Sequence, residues 1–408
     1  MKPMGNIPAD YASRDGELLI GGRTVSDLVA KAGDTPLFVY DRAIMAARVA
    51  RLRAALPAEV AIHYAMKANP HPQVVAAFAG MVGGIDVASA GEMQIALASG
   101  MAADHISFAG PGKRDRELEA AITAGVTINL ESFAEGWRAI AVAATLGIRP
   151  KLAVRVNPDF EIRGSGMRMG GGAKPFGVDE ADAAALCRDM IAAGADWRGF
   201  HIFAGSQALD AAAIIEAQAA TVALAAKLAD QVGAAPPLVN LGGGLGIPYF
   251  PGEQVLDVEA IGAALADVLG QRADVLSTSA FAIELGRWLV GEAGVYLTRI
   301  VDRKVSHGEV FLVTDGGLHH QLAASGNFGT VVRRNYPVAV ATRFGAEAEE
   351  TTSVVGCLCT PLDRLADKVA LPRADVGDVI AVFMAGAYGA SASPQAFLGH
   401  PPALEMLV

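Results

Sequence analysis

The sequence predicts a (β/α)8 barrel of the TIM type joined to a second, mostly antiparallel β domain. Three observations predict it. From about residue 60 to 290, short apolar runs alternate with alanine-rich stretches of helical period. Eight such alternations over ~250 residues are the pattern of a closed barrel, whereas a doubly wound sheet usually repeats fewer units in a row. After residue 290 the helical period fades, and runs rich in Val, Ile, Thr and Phe take over. Finally, 52% of the 408 residues are hydrophobic and 19% charged, enough apolar material for two cores.

The strand-like runs are 61–66, 84–88, 105–109, 126–130, 151–156, 199–204, 238–241 and 280–285. Segments 113–124, 179–193 and 211–233 between them are long enough for helices. Beyond the barrel, 294–305, 309–314, 351–357 and 377–384 read as antiparallel strands. The opening Glu17-Leu18-Leu19-Ile20, with Gly21-Gly22 at a turn, is also strand-like and is expected to join that β domain. The expected division is an N-terminal strand segment over 1–36, a barrel over 37–290 and a C-terminal β domain over 291–408.

Composition narrows the function classes. A net charge of -10 argues against nucleic acid and anionic membranes, while a local cluster of N–H groups and arginines could still hold a small anion. No window offers the ~18 consecutive apolar residues of a membrane-spanning helix. The opening Met1-Lys2-Pro3-Met4-Gly5-Asn6 lacks an apolar signal core, so a cytoplasmic protein is expected. Three cysteines (Cys187, Cys357 and Cys359) give no disulfide framework, no His/Cys spacing resembles a zinc site, and no metal is expected.

Ligands of such barrels bind where strands end. The first strand delivers Lys67, in Tyr64-Ala65-Met66-Lys67-Ala68-Asn69-Pro70, just before a breaker pair. An amine at the mouth of a buried strand is poorly solvated, which favours its neutral, nucleophilic form. Alone, such a lysine reads first as a surface group just past a strand. The second strand offers Asp86, Ser89 and Glu92, the fifth Arg155 and Asn157, the sixth His201 followed by Gly205-Ser206-Gln207. The seventh gives Gly242-Gly243-Gly244-Leu245-Gly246, and the eighth Glu284, Gly286 and Arg287. The glycine run suits a phosphate, because backbone N–H groups without side chains can approach an anion, although a plain tight turn looks the same. Glu284 reads either as a partner for a protonated ring nitrogen or as a structural ion pair with Arg287. In the β domain, Cys359 lies where a strand breaks at Thr360-Pro361 and so reaches a cleft, whereas Cys187 reads as inert filler.

Taken in register, these motifs resemble the fold type III pyridoxal phosphate decarboxylases, which act on diaminopimelate, ornithine and arginine. The resemblance rests on Tyr-Ala-Met-Lys-Ala-Asn at Lys67, Asp-Val-Ala-Ser-Ala-Gly-Glu at Asp86, the glycine run, Glu-Leu-Gly-Arg from Glu284, Cys359 with Asp363, and Gly-Ala-Tyr ending at Tyr388. It implies an alanine racemase-like barrel, pyridoxal 5'-phosphate as cofactor, and an amino acid substrate that loses CO2. By the same resemblance Lys67 is the Schiff-base lysine and His201 the residue stacked on the pyridine ring. Asp86, Arg155, Ser206, Gly243, Gly244, Gly246, Gly286, Arg287 and Tyr388 fall at cofactor-binding positions. Glu284 matches the carboxylate that keeps the ring nitrogen protonated, and Cys359 the acid that protonates the carbanion. Cys359 and Tyr388 would enter from a second subunit, implying a homodimer. A carboxylate rather than an arginine at Glu284 argues against an amino acid racemase on the same scaffold. A non-catalytic cofactor-binding protein would tend to lack the lysine or the second domain.

Two departures bear on the substrate. The diaminopimelate and ornithine enzymes carry an acid directly after the cysteine, where this chain has Thr360. The loop after His201 is longer, with Phe203 and Ala204 ahead of Ser206, which unsettles the phosphate role of Ser206. Cys-Thr-Pro-Leu-Asp (359–363), Gly-Ile-Pro-Tyr-Phe (246–250), Asp-Gly-Gly-Leu-His-His (315–320), Arg-Arg-Asn-Tyr-Pro (333–337) and Phe-Leu-Gly-His-Pro (397–401) resemble a branch that includes glutamyl-[acyl-carrier protein] decarboxylase and exosortase-associated decarboxylases. The expected substrate is therefore an amino acid with a neutral or masked distal group, free or on an acyl-carrier protein. His319, His320, Arg333, Arg334, Thr360 and Asp363 are the candidates for its distal end.

Overall fold

The computed structural model describes residues 1–326 and 333–408. The chain divides into two compact units. One comprises Arg48–Ile247 and Val255–Gly286, the other Met1–Ala47, Pro248–Gln254 and Arg287–Val408.

The first unit is a closed barrel of eight parallel strands. They are β1 (Val60–Ala65), β2 (Gly84–Val87), β3 (Ile106–Phe108), β4 (Thr127–Leu130), β5 (Lys151–Asn157), β6 (Asp196–Ile202), β7 (Leu238–Asn240) and β8 (Ala280–Leu285). Each pairs with the next and β8 pairs with β1, which closes the ring. All eight expected strands form, because each run is dominated by β-branched and other apolar side chains that both faces of a barrel bury. Register then sets the chemistry. Glu284 lies opposite His63, His201 opposite both Arg155 and Asn240, and Ala65 opposite Asp86.

Helices fill the returns, and their ends are written locally. Asp115–Ala124, Phe133–Leu146 and Ala211–Val232 stop at Gly125, Gly147 and Gly233, all left-handed, which only glycine adopts without strain. Ser132 and Asp210 cap the starts of the last two. Among the described residues, Ala211–Val232 alone is long and apolar enough on average to cross a membrane, though Glu216 and Lys227 interrupt its apolar run. Half of that window is buried within the protein, as in a core helix of a barrel.

The second unit is built on an eight-stranded sheet. Its order runs Val338–Val340, Val379–Val382, Gly294–Ser306, Glu309–Thr314, Glu350–Val355, Arg364–Leu371. Leu37–Tyr40 pairs antiparallel with Gly294–Leu297, and Leu404–Leu407 runs parallel beside Leu37–Tyr40. The sheet is mostly antiparallel as expected, with a second parallel pairing between Glu309–Thr314 and Glu350–Val355. Glu17–Ile20 belongs to a separate small sheet with Ser13–Arg14 and Arg23–Thr24.

Candidate active site

At the end of β1 the chain passes into a single 3-10 turn, Met66–Ala68, which carries Lys67. Tyr64 donates its hydroxyl to Asn69 O at 2.9 Å and so fixes the end of that turn. The Lys67 ammonium lies 3.4 Å from Glu284 Oε1 and 5.0 Å from the centre of the Phe203 ring. The other oxygen of Glu284, at the buried end of β8, accepts from His201 Nε2 at 2.8 Å. Burial alone would raise this carboxyl, but the charge of Lys67 and the His201 hydrogen bond outweigh it and hold it well below the usual carboxylate range. An ionised carboxylate only accepts, so the His201 proton sits on Nε2. His201 Nδ1 is left buried without a hydrogen-bond partner among the described residues.

One expectation fails here. The Lys67 side chain is 42% exposed, not desolvated. It lies instead against Glu284 and the face of Phe203, the residue that lengthens the loop after His201.

The glycine run is a close-packed backbone, not a loose turn. A Cβ on Gly243 would lie 1.8 Å from Glu284 O, one on Gly244 2.5 Å from Gly205 O, and one on Gly246 2.8 Å from Ala208 O. Gly244 also has φ +94°, which disfavours any side chain. Gly246 donates its N–H to Ala208 O, so an anion would turn to Gly243 and Gly244. Ser206 is half-buried and its backbone pairs with Met167. A Cβ on Gly286 would lie 2.7 Å from Ala65 O, so this glycine lets β8 end tightly against the exit of β1.

The remaining strand-end candidates have structural partners. Asp86 faces His63 Nδ1 at 3.3 Å and accepts from Ser107. Burial would lower His63, yet the Asp86 carboxylate outweighs it and raises it. Arg155 holds Glu131 at 2.9 Å, and Glu131 also accepts from the N–H groups of Gly110 and Gly177. Ser89 and Glu92 serve the start of helix Ala90–Ala98 rather than a ligand pair: Ser89 caps it, its Oγ accepting from Glu92 N, and Glu92 accepts from Ala88 N just before the cap. Asn157 ties Gly172 O to Asp179.

Sequence reasoning missed Glu131, Lys113 and Glu135, a buried charged group beside Arg155. Lys113 donates to Glu135 at 2.8 Å and to the carbonyls of Gly110 and Asn129. Glu131 directly follows the run 126–130, so the strand-end rule could have found it. Lys113 carries no such cue.

In the second unit, Arg287 donates to Tyr249 Oη at 2.8 Å and its guanidinium lies 4.7 Å from the centre of the Tyr388 ring. Its Nε is buried without a partner among the described residues. Tyr388 adopts φ +55°, an uncommon value for an aromatic residue. Cys359 is exposed. Asp363, by contrast, is 2% exposed, and its two oxygens accept from Leu318 N at 2.7 Å and Leu358 N at 2.9 Å. Thr360 closes the same turn by donating its N–H to Leu358 O. Arg333 donates to the carbonyls of Leu362 and Arg364, while Arg334 pairs with Glu253 and lies on the Phe250 ring. His320 bonds Tyr296 and Pro401 O. His319 is fully buried, and burial, with His320 and His400 nearby, lowers it to about 4. Cys187 is inert as expected, its thiol pushed up to about 12 by burial.

Residues 42–291 match the family model described as the pyridoxal-dependent decarboxylase, pyridoxal binding domain. The chain belongs to this family. It is 36% identical to the L-glutamyl-[BtrI acyl-carrier protein] decarboxylase of Niallia circulans, over 93% of this chain and 90% of that protein. It is 33% identical to the diaminopimelate decarboxylase of Archaeoglobus fulgidus, over 98% and 93%. The crystal structure of diaminopimelate decarboxylase from M. jannaschii with L-lysine superposes with a TM-score of 0.88 at 26% identity, covering 98% of this chain and 93% of that one. The protein is therefore a pyridoxal phosphate-dependent decarboxylase, a carboxy-lyase.

The barrel's residues fit that cofactor. Glu284 is an ionised, buried carboxylate, His201 has a ring nitrogen without a partner among the described residues, and the glycine run has no room for a Cβ, so only backbone N–H groups would be offered to a phosphate there.

Proposed function

We propose that this decarboxylase removes CO2 from an L-amino acid whose distal end is neutral or masked, presented as a thioester on an acyl-carrier protein. The carrying observation is the occupation of Asp363. Both of its oxygens are taken by backbone N–H groups, and its neighbour Thr360 is uncharged. A substrate with a distal ammonium would need a free carboxylate in a desolvated pocket, and an unpaired charge there costs several kcal/mol. The turn Gly356–Asp363 has no carboxylate to spare. Similarity to a relative named for a carrier-bound glutamyl substrate supports the same reading.

Pyridoxal phosphate, when bound, supplies an aldehyde that takes up an amine and a ring that accepts the electron pair left by CO2. Lys67 would hold the group through Nζ and release it to the substrate amine. Glu284, kept ionised, is suited to hold a proton on a basic ring nitrogen, which an arginine could not do. His201, fixed by its Nε2–H bond to Glu284, offers a flat imidazole to a planar ring. Gly243 and Gly244 would face the phosphate. Cys359, an exposed thiol, would return a proton to the substrate carbon, each copy of a homodimer lending its Cys359 to the other, while Tyr388, expected from the partner, instead lies on Arg287 of its own chain.

Measuring CO2 release from free amino acids and from their carrier-bound forms tests the reading. Tethered substrate is expected to give the higher kcat/KM. Turnover of free diaminopimelate at an equal or greater rate would overturn it. Mixing Lys67→Ala and Cys359→Ala subunits should regain activity that neither has alone.

A further inference from the structure

We propose that His319, Cys357 and His400 form a binding site for a borderline-soft divalent cation, zinc(II) foremost, within the unit that carries the Cys359–Asp363 turn. One ligand atom from each of the three lies within 4.8 Å of the others.

The second observation is the state of His319. It is 0% exposed, yet neither ring nitrogen has a hydrogen-bond partner among the described residues. Leaving a buried polar atom unpaired costs roughly 1–3 kcal/mol, so two on one ring ask for an explanation. Its sequence neighbour supplies the contrast. His320 has both nitrogens bonded, to Tyr296 and Pro401 O, so the segment itself does not forbid satisfaction.

The donor set selects the ion. One thiolate with two imidazoles suits zinc or copper, while magnesium and calcium prefer oxygen ligands. Tetrahedral bonds of about 2.0–2.3 Å require ligand-to-ligand edges of about 3.3–3.8 Å. Cys357 Sγ already stands 3.9 Å from both ring nitrogens of His400. Drawing in the widest edge, at most 4.8 Å, by about 1–1.5 Å completes the geometry, with water at the fourth corner. The Cys357 S–H bond breaks as the sulfur–metal bond forms, and the proton leaves to solvent; both imidazoles bind through lone pairs. No oxidant or reductant enters.

The ligands come from three separate stretches, which is why no short spacing betrays them. His319 follows strand Glu309–Thr314, Cys357 follows strand Glu350–Val355, and His400 precedes strand Leu404–Leu407. A metal there staples the ends of three strands. It also anchors Cys359 from two residues away, adding to the hold that Asp363 has on Leu358 N.

The test uses the holoenzyme freed of metal by a chelator and titrated with Co(II), read as difference spectra, with elemental analysis of protein grown in zinc-supplemented medium. The expected result is one metal per chain, a sulfur-to-cobalt charge-transfer band with tetrahedral d–d bands, and a metal-dependent rise in melting temperature. Cys357→Ser should lose the charge-transfer band, His319→Gln and His400→Gln should weaken binding at least tenfold, and Cys359→Ser should change none of these. Absence of stoichiometric metal in the wild type, or a cobalt spectrum that Cys357→Ser leaves unchanged, overturns the proposal.

Discussion

Several buried polar groups at the two units' strand ends and turns are satisfied differently. At the barrel's strand ends they meet as opposite charges: Lys67 and His201 on Glu284, Arg155 on Glu131, Lys113 on Glu135. In the second unit some are left to the backbone or, among the described residues, to no partner: Asp363 takes two N–H groups and His319 takes none, although Asp367 still pairs with Lys2 and Arg364. Paired charges hold a fixed electrostatic environment for a reaction, because neither partner can relax without exposing the other. Backbone-satisfied groups instead fix the course of a turn. The contrast teaches that the barrel supplies the field and the other unit supplies shape.

Four substitutions probe that difference, in falling order of effect. Lys67→Ala should lower decarboxylation by roughly 10³–10⁶-fold, as when a covalent group is removed, and abolish the imine absorption of the holoenzyme. A variant that keeps both would end the barrel's claim to the chemistry. Glu284→Gln should reduce kcat by about 10²–10³-fold. Its pH signature follows from sign: the folded carboxyl lies below its ordinary 4.5, so its stabilisation is present above that pH and lost as pH falls below it. Urea unfolding should therefore show the variant weakest relative to wild type near neutrality, with the gap closing in acid. Asp363→Asn, which keeps one acceptor oxygen, should cost about 1–3 kcal/mol by denaturant titration and leave the visible spectrum of the holoenzyme unchanged. A spectral change would blur the division between field and shape. Arg51→Ala removes an exposed pair with Glu259 on the outside of the barrel and should cost at most about 1 kcal/mol. Equal losses at Arg51 and Glu284 would mean that burial is not what gives the inner pairs their weight.

The barrel was legible because its strands are apolar on both faces, so each stands out as a continuous run. β1 begins one residue earlier than its run suggests, and β6 three residues earlier. Its opening Asp196-Trp197-Arg198 is mixed in polarity, and a bulge between Trp197 and Gly199 breaks the period. Lys67, His201 and Glu284 were legible because charged residues at the ends of such runs are conspicuous. Their mutual contact was not, since it depends on register between strands far apart in the chain. The distal candidates fared differently: Arg333, Arg334 and Asp363 look available in the sequence, but each is engaged by neighbours that only folding brings near. The same holds for Ser89 and Glu92, whose spacing serves a helix start.

The parallel pairing of Leu404–Leu407 with Leu37–Tyr40 has a consequence for biosynthesis. Leu37 emerges from the ribosome 367 residues before Leu404, the difference of their positions. At ordinary elongation speeds that is a wait of roughly 20–70 s. Every residue of the barrel is translated inside that interval, so the barrel can mature while the early strand is still short of one flanking partner. Stalled or shortened nascent chains should therefore carry a finished barrel beside an unzipped sheet edge, the species a chaperone would meet first.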